Sequence, residues 1–374
     1  MLKLLARDRS STGSLRRKWS GLSTVTPATP SDQKPREEKS IPYNHPGYQD
    51  LLKNEGIYME EHDLGITGSS KGLCQTLLSH IQSLPDNSIF RDDIFQNACK
   101  RLQGKNEARI IQDISRLIVP SAETLAICGA NHLNVLVESV NEGWNNSIPI
   151  TATRPQPDYA VGFRPSAFSE DQLNKLQPYL GGIYSLSYFK ATYYMLFPFL
   201  TCEVKCGETG LDAADRQNAH SAALAVRAVV ELFKGVKREK ELDREILAFS
   251  VSHDNQSVRI YGYHPVVVNT ETTIWRHPIR QYNFTELNGR DKWAAYSFTK
   301  NLYDIWVPAH LKRISSALDD ISPDMGLESN PQISESPGPL QQELDGASEL
   351  SHADLQQVTP DTPPQPAPKK KKKV

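Results

Sequence analysis

Residues 193–206 read YYMLFPFLTCEVKC, an apolar run that ends in Glu203, Val204 and Lys205. The run from Tyr193 to Lys205 reads as a strand, buried at its start. Side chains on a strand alternate between faces, so Glu203 and Lys205 stand side by side while Val204 points the other way. Charges placed at the end of a buried strand are costly unless they are paired or bind an ion. Upstream, residues 157–163 read PDYAVGF, a short strand after a proline-rich approach. If the two strands are neighbours, Asp158 joins Glu203 and Lys205 to give two carboxylates and one ammonium. Phosphodiester hydrolysis needs a hard divalent cation held by oxygens, to clamp the phosphate and activate a water. Asp158, Glu203 and the Val204 carbonyl would hold Mg²⁺ or Mn²⁺, and Lys205 would orient the water or offset developing charge. The plainer alternative is an ion pair of Glu203 with Lys205 at a strand end, with Asp158 elsewhere.

Outward from this motif, residues 169–180 read as helix, and Asp212 to about Leu242 as a long helix, with Ala214, Ala222, Ala225, Val229 and Leu232 at helical spacing. Ile246–Val251 and Val258–Tyr263 read as strands joined by the polar turn His253-Asp254-Asn255-Gln256. Thr272–Phe284 reads as strand and loop, and Lys292–Leu318 as a closing helix interrupted at Pro308. Toward the N-terminus, Gln75–Leu84, Asp92–Leu102 and Asn106–Leu117 have helical periodicity. The run from Ser121 to Gly143 also predicts helix, with Gly129 as a candidate break. The sum is an α/β sandwich. Its expected divisions are a basic arm over 1–40, a helical prefix over 41–120, an α/β domain over 121–320 and an acidic, proline-rich tail over 321–374.

The order Pro157-Asp158, then Glu203-Val204-Lys205, then a helix resembles the PD-(D/E)XK nuclease superfamily. That resemblance implies a restriction-endonuclease-like mixed sheet flanked by helices, acting on DNA or RNA. It also implies an accessory carboxylate from the preceding helix, which Glu138 or Glu142 would supply, and a polar residue from the following helix, which Gln217 would supply. The stretch from about Ile110 to Ile321 is similar to a fungal domain of unknown function, through RLIVPSA at 116–122, PDYAVGF at 157–163, FLTCEVKC at 199–206 and YDIW at 303–306. The second resemblance supplies a family and no activity. A nuclease-like fold without chemistry, serving as a nuclear binding or scaffold module, is the alternative from another functional class.

The net charge of −2 conceals strong asymmetry. Residues 1–40 hold nine Lys/Arg against four Asp/Glu, and 320–368 hold nine acids, nine prolines and no Lys/Arg. Neither end can bury enough apolar surface to fold, so both are expected to be disordered. The middle is slightly acidic, so contact with nucleic acid requires a local patch; Arg216, Arg227, Lys234, Lys237, Arg238 and Lys240 on the long helix, with Arg276, Arg280 and Arg290, are the candidates. The terminal run Lys369–Lys373 has the form read by a nuclear-import receptor, which predicts a nuclear protein. The Ser- and Arg-rich N-terminus leaves a mitochondrion as an alternative, and the cytoplasm another.

Several classes are excluded. The stretch Tyr193–Cys202 is about half the roughly 20 residues of a membrane span, so no membrane is expected. Five cysteines, an odd number, do not suggest a disulfide framework, and Cys202-x-x-x-Cys206 lacks a second metal-binding pair. Core thiols are expected. No phosphate-loop or dinucleotide fingerprint occurs, and His220, His253, His264 and His277 accompany no recognisable nucleophile, so they are read as structural. Oligomeric state is not legible.

Overall fold

A computed structural model describes residues 41–206, 210–269 and 271–322. The arm, most of the acidic tail and Lys369–Lys373 lie outside the described residues. Among the described residues seven strands form one mixed sheet: β1 (Ile57–Tyr58), β2 (Leu136–Ser139), β3 (Tyr159–Phe163), β4 (Leu196–Val204), β5 (Ala248–His253), β6 (Ser257–Val268) and β7 (Glu271–Asn283). Their order is β1-β7-β6-β5-β4-β3-β2. Strands β2, β3 and β4 are antiparallel neighbours, β5 lies parallel to β4, and β6 and β7 continue antiparallel. A parallel neighbour requires a crossover, and helix α8 (Gly210–Gly235) makes it between β4 and β5.

The other helices are α1 (Tyr48–Asn54), α2 (Gly68–Ser79), α3 (Phe95–Leu102), α4 (Glu107–Ile110), α5 (Arg116–Ile118), α6 (Ala122–Ile127), α7 (Glu170–Leu180), α9 (Ala294–Asn301) and α10 (Val307–Asp319). Helix α8 covers one face of the sheet through a stripe of alanines, including Ala214, Ala222 and Ala225, whose small side chains let the helix approach β4 and β5 closely. The opposite face is aromatic. Phe249 on β5 packs edge-on against Phe298 of α9 and Trp306, and Trp306 stacks on His310 of α10.

Gly162 on β3 faces the start of β4. A Cβ there would lie 2.6 Å from the Met195 side chain and 2.9 Å from the Leu196 carbonyl, so only glycine permits the approach. The β3–β4 register shifts at that point, and Phe197 takes a positive φ of 43°.

The helix expected over 121–143 is corrected by the structure. After α6, Gly129 turns the chain at φ 113°, a 3-10 turn spans Asn131–Val135, and Leu136–Ser139 becomes β2, paired with β3. Val135, Leu136 and Val137 fit either periodicity over so short a run, and pairing beside β3 decides for strand. Two other boundaries move. The long helix stops at Gly235, with a 3-10 turn following over Glu239–Leu242, and Glu271–Asn283 is one continuous strand. The closing helix is not broken at Pro308. It widens into a π turn over Leu302–Trp306, which accommodates the missing proline N–H.

The N-terminal segment shares the core of the sheet. Ile57 and Tyr58 pair with Ile274 and Trp275 at the β7 edge, Asn301 of α9 donates to the Leu77 and His80 carbonyls, and Tyr48, Leu52, Leu77 and Phe90 belong to the main apolar cluster. No helix among the described residues is long and apolar enough to cross a membrane.

Candidate functional site

The β3–β4 register sets Tyr159 opposite Cys202, and so brings Asp158, just before β3, across from Glu203. Asp158 Oδ2 accepts a 2.7 Å hydrogen bond from the Val204 N–H. One residue further, the Lys205 N–H continues the parallel pairing by donating to the His253 carbonyl. The Lys205 ammonium donates to the Val204 carbonyl at 2.7 Å and lies 3.8 Å from Glu203 Oε2 and 4.0 Å from Asp158 Oδ2. Asp158, Glu203 and Lys205 therefore form one cluster, with the Val204 carbonyl beside it.

Glu203 is 1% exposed, and among the described residues its Oε2 has no hydrogen-bond partner, the Lys205 ammonium lying 3.8 Å away. Burial raises its carboxyl well above the ordinary range; the Asp158 charge adds to this, and Lys205 opposes it. Burial also raises Asp158, against the pull of the Val204 N–H and Lys205. An unpartnered buried carboxylate is costly, so this oxygen takes either a proton or a cation.

A third acid reaches the cluster. Glu107, the first residue of α4, lies 3.5 Å from the Lys205 ammonium, and burial raises its carboxyl. No local pattern marks Glu107; the sequence signal is only that Asn106 caps a helix whose first turn it occupies. Behind the strand end, His253 bonds Ser115 Oγ at 3.0 Å, and burial lowers its pKa to about 4.

The two candidate accessory carboxylates are bonded to tyrosine hydroxyls, not to the cluster. Glu138 is on strand β2, not on a helix, and register with Val161 turns it to the aromatic face. There it accepts from Ser121 Oγ at 2.5 Å and from the Tyr159 hydroxyl. Glu142 accepts from the Tyr194 hydroxyl. Gln217 is half-buried on α8 and makes no side-chain hydrogen bond among the described residues; its neighbour Asn218 faces the sheet instead. Asn218 joins Thr201 Oγ1 at 2.7 Å, donates to the Val251 carbonyl at 3.1 Å and lies 3.0 Å from Ser252 Oγ.

A second polar centre lies along α8. Buried His220 Nδ1 lies 2.8 Å from the Tyr43 hydroxyl and 3.0 Å from the Tyr48 hydroxyl, while Nε2 has no partner among the described residues. Burial lowers its pKa to about 3. The Glu203 charge contributes to raising the Tyr43 hydroxyl, although burial is the main cause.

Most cations of the expected basic patch are engaged. Arg216 donates to the Tyr43 carbonyl, Arg227 to the Ile148 carbonyl, and Arg238 pairs with Glu241 and Asp320. Arg276 and Arg280 pair with Asp215 and Asp291. Of the cysteines, Cys74 and Cys202 are buried, Cys99 and Cys206 are half-buried and Cys128 is exposed.

The donor chemistry fits a hard cation in one respect: Glu203 Oε2 is a buried oxygen with no partner, across from a second carboxylate. In another respect it does not, because among the described residues no group of three or more His, Cys, Asp and Glu is arranged to hold a metal ion. Among known families, the model of a domain of unknown function (DUF7924) matches residues 94–318. No curated protein matches the chain.

Proposed function

We propose, from the premise that this chain belongs to the DUF7924 family, that it hydrolyses phosphodiester bonds in nucleic acid at the Asp158–Glu203–Lys205 cluster, as a PD-(D/E)XK-like nuclease. The observation that carries the reading is the buried Glu203 carboxyl, opposite Asp158 and 3.8 Å from the Lys205 ammonium, whose Oε2 accepts no hydrogen bond among the described residues. The mixed sheet with helices on both faces agrees with it, and so does the helix that follows the Glu-x-Lys strand. A fungal origin belongs to the same reading.

Asp158, Glu203 and the Val204 carbonyl would hold Mg²⁺ or Mn²⁺, which when bound supplies a phosphate clamp and an activated water. Glu203 must give up its proton before it can serve as a ligand, so metal affinity rises with pH. Lys205 holds its ammonium between the carboxylates through the Val204 carbonyl, ready to offset charge developing on the phosphate. The protein is a nuclear one in this reading, carried by an import receptor that binds Lys369–Lys373; deletion of that run that leaves the protein in the nucleus would reject this part.

The test incubates the full chain with single- and double-stranded DNA and RNA in Mg²⁺, Mn²⁺ or EDTA, beside Asp158→Asn and Lys205→Ala. Metal-dependent cutting lost in both folded variants is expected. A second reading, a catalytically inactive nuclear binding module, draws on Lys205 lying within 4.0 Å of Asp158, Glu203 and Glu107, a network that neutralises charge without a metal. No cutting together with no metal-induced rise in Tm selects it.

A further inference from the structure

Helix α3 and the start of α4 enclose an open groove of about 1160 Å³. Its lining includes Lys100, Arg101, Lys105 and Arg109 against a single carboxylate, Asp113. Asp113 is paired with Arg109 at 2.7 Å. Lys100, Arg101 and Lys105 are exposed and make no ion pair among the described residues. This contrasts with Arg216, Arg227 and Arg238 on and after the long helix, which already hold carboxylates or carbonyls. The rest of the lining supplies amides, from Asn97, Gln103 and Asn106, over an apolar floor from Ile94 and Leu102. No aromatic side chain lines the groove, so it lacks a platform for stacked bases.

The groove and the carboxylate cluster lie on different sides of one helical segment, 106–115. Asn106 lines the groove and caps α4, and the next residue, Glu107, lies 3.5 Å from Lys205. A π turn over Ile111–Ser115 then carries Asp113 into the groove and Ser115 onto His253 beside the strand end. A chain of phosphates bound along Lys100, Arg101 and Lys105 would thus lie one helical segment away from the cluster.

We propose that this groove binds the sugar-phosphate backbone of a nucleic acid, one helical segment away from the Glu203–Lys205 site. The proposal rests on the nuclease reading for its ligand but not for its measurement. Unpaired cations that contact phosphates release counterions, so affinity falls with salt in proportion to the contacts made. Contacts made through cations to phosphates, with no stacking rings beside them, predict tolerance of sequence.

The experiment measures fluorescence anisotropy of labelled single- and double-stranded DNA and RNA oligonucleotides with the full chain in EDTA, so that no cutting occurs. The groove variant is Lys100→Ala/Arg101→Ala/Lys105→Ala. The control is Lys53→Ala/Lys71→Ala/Lys312→Ala, three exposed lysines outside the groove. The groove variant is expected to bind about tenfold or more weakly, with a salt slope shallower by about 2 to 3, at unchanged Tm, while the control binds as the parent. Equal loss in both variants, or none in the groove variant, overturns the proposal. So does a groove variant that loses affinity for a peptide of residues 320–361 while keeping its affinity for nucleic acid, since the groove would then hold an acidic segment. Groove-dependent binding without metal-dependent cutting would reject the nuclease reading and leave the groove proposal standing.

Discussion

Glu203 and Lys205 depend on each other, and each fixes the sign of the other's substitution. A carboxyl raised on folding takes up a proton as the chain folds. Its contribution is fully present at low pH and is lost as pH climbs from the unfolded value of 4.5 through the folded one. Glu203→Gln removes that loss, so its Tm relative to the parent should improve between pH 5 and pH 8, by about 2–4 °C. An equal shift at both pH values would show that Glu203 is not protonated in the fold. Lys205→Met leaves Asp158, Glu203 and Glu107 facing one another without a cation. It should cost about 3 kcal/mol at pH 8 and less at pH 5, read from urea titrations. These residues were legible in the sequence because a strand alternates strictly. Glu107 was not, since α4 reaches Lys205 only through tertiary packing, and no spacing rule connects them.

At the scale of elements, one position of helical phase separates Gln217 from Asn218. The face of α8 that packs on the sheet is set by its alanine stripe, which puts Asn218 over β4 and β5. Asn218→Leu leaves Thr201, Ser252 and the Val251 carbonyl without that partner and should cost about 2 kcal/mol or more. Gln217→Leu should change stability by about 0.5 kcal/mol or less. Thermal melts of the two variants decide this, and equal losses would contradict the phase. Strand β2 makes the same point by parity. Its two-residue alternation sends Glu138 to the aromatic face with Tyr159, on the other side from Asp158. Residues 135–140 are too few for periodicity to distinguish helix from strand, and the partner strand made the choice.

At the scale of the whole molecule, the family match begins at residue 94, yet the apolar cluster includes Tyr48, Leu52, Ile57, Leu77 and Phe90. A chain cut to 94–322 would expose the β7 edge and uncover His220. It should melt more than about 10 °C below the 41–322 chain or fail to unfold cooperatively; matching melts would show that the first segment is dispensable. Four buried histidines set the acid limit; burial lowers His310 well below 6.5. His220, His253 and His264 have pKa values lowered to about 3, 4 and 4 from 6.5. The unfolded chain takes up protons there and the folded chain does not, so their contribution is complete above pH 6.5 and is lost as pH falls toward 4. A Tm that stays flat from pH 7 to pH 4.5 would contradict their burial.

The sequence by itself determined the α/β class, the long helix, the hairpin and the carboxylate-lysine strand end, because apolar periodicity and the alternation of a strand are local properties of the chain. The tertiary structure alone decided which acid joins Lys205, which face Glu138 takes, which residue of α8 reaches the sheet and which cations remain unpaired. Those outcomes depend on register, helical phase and packing between distant segments, and short-range pattern does not encode them.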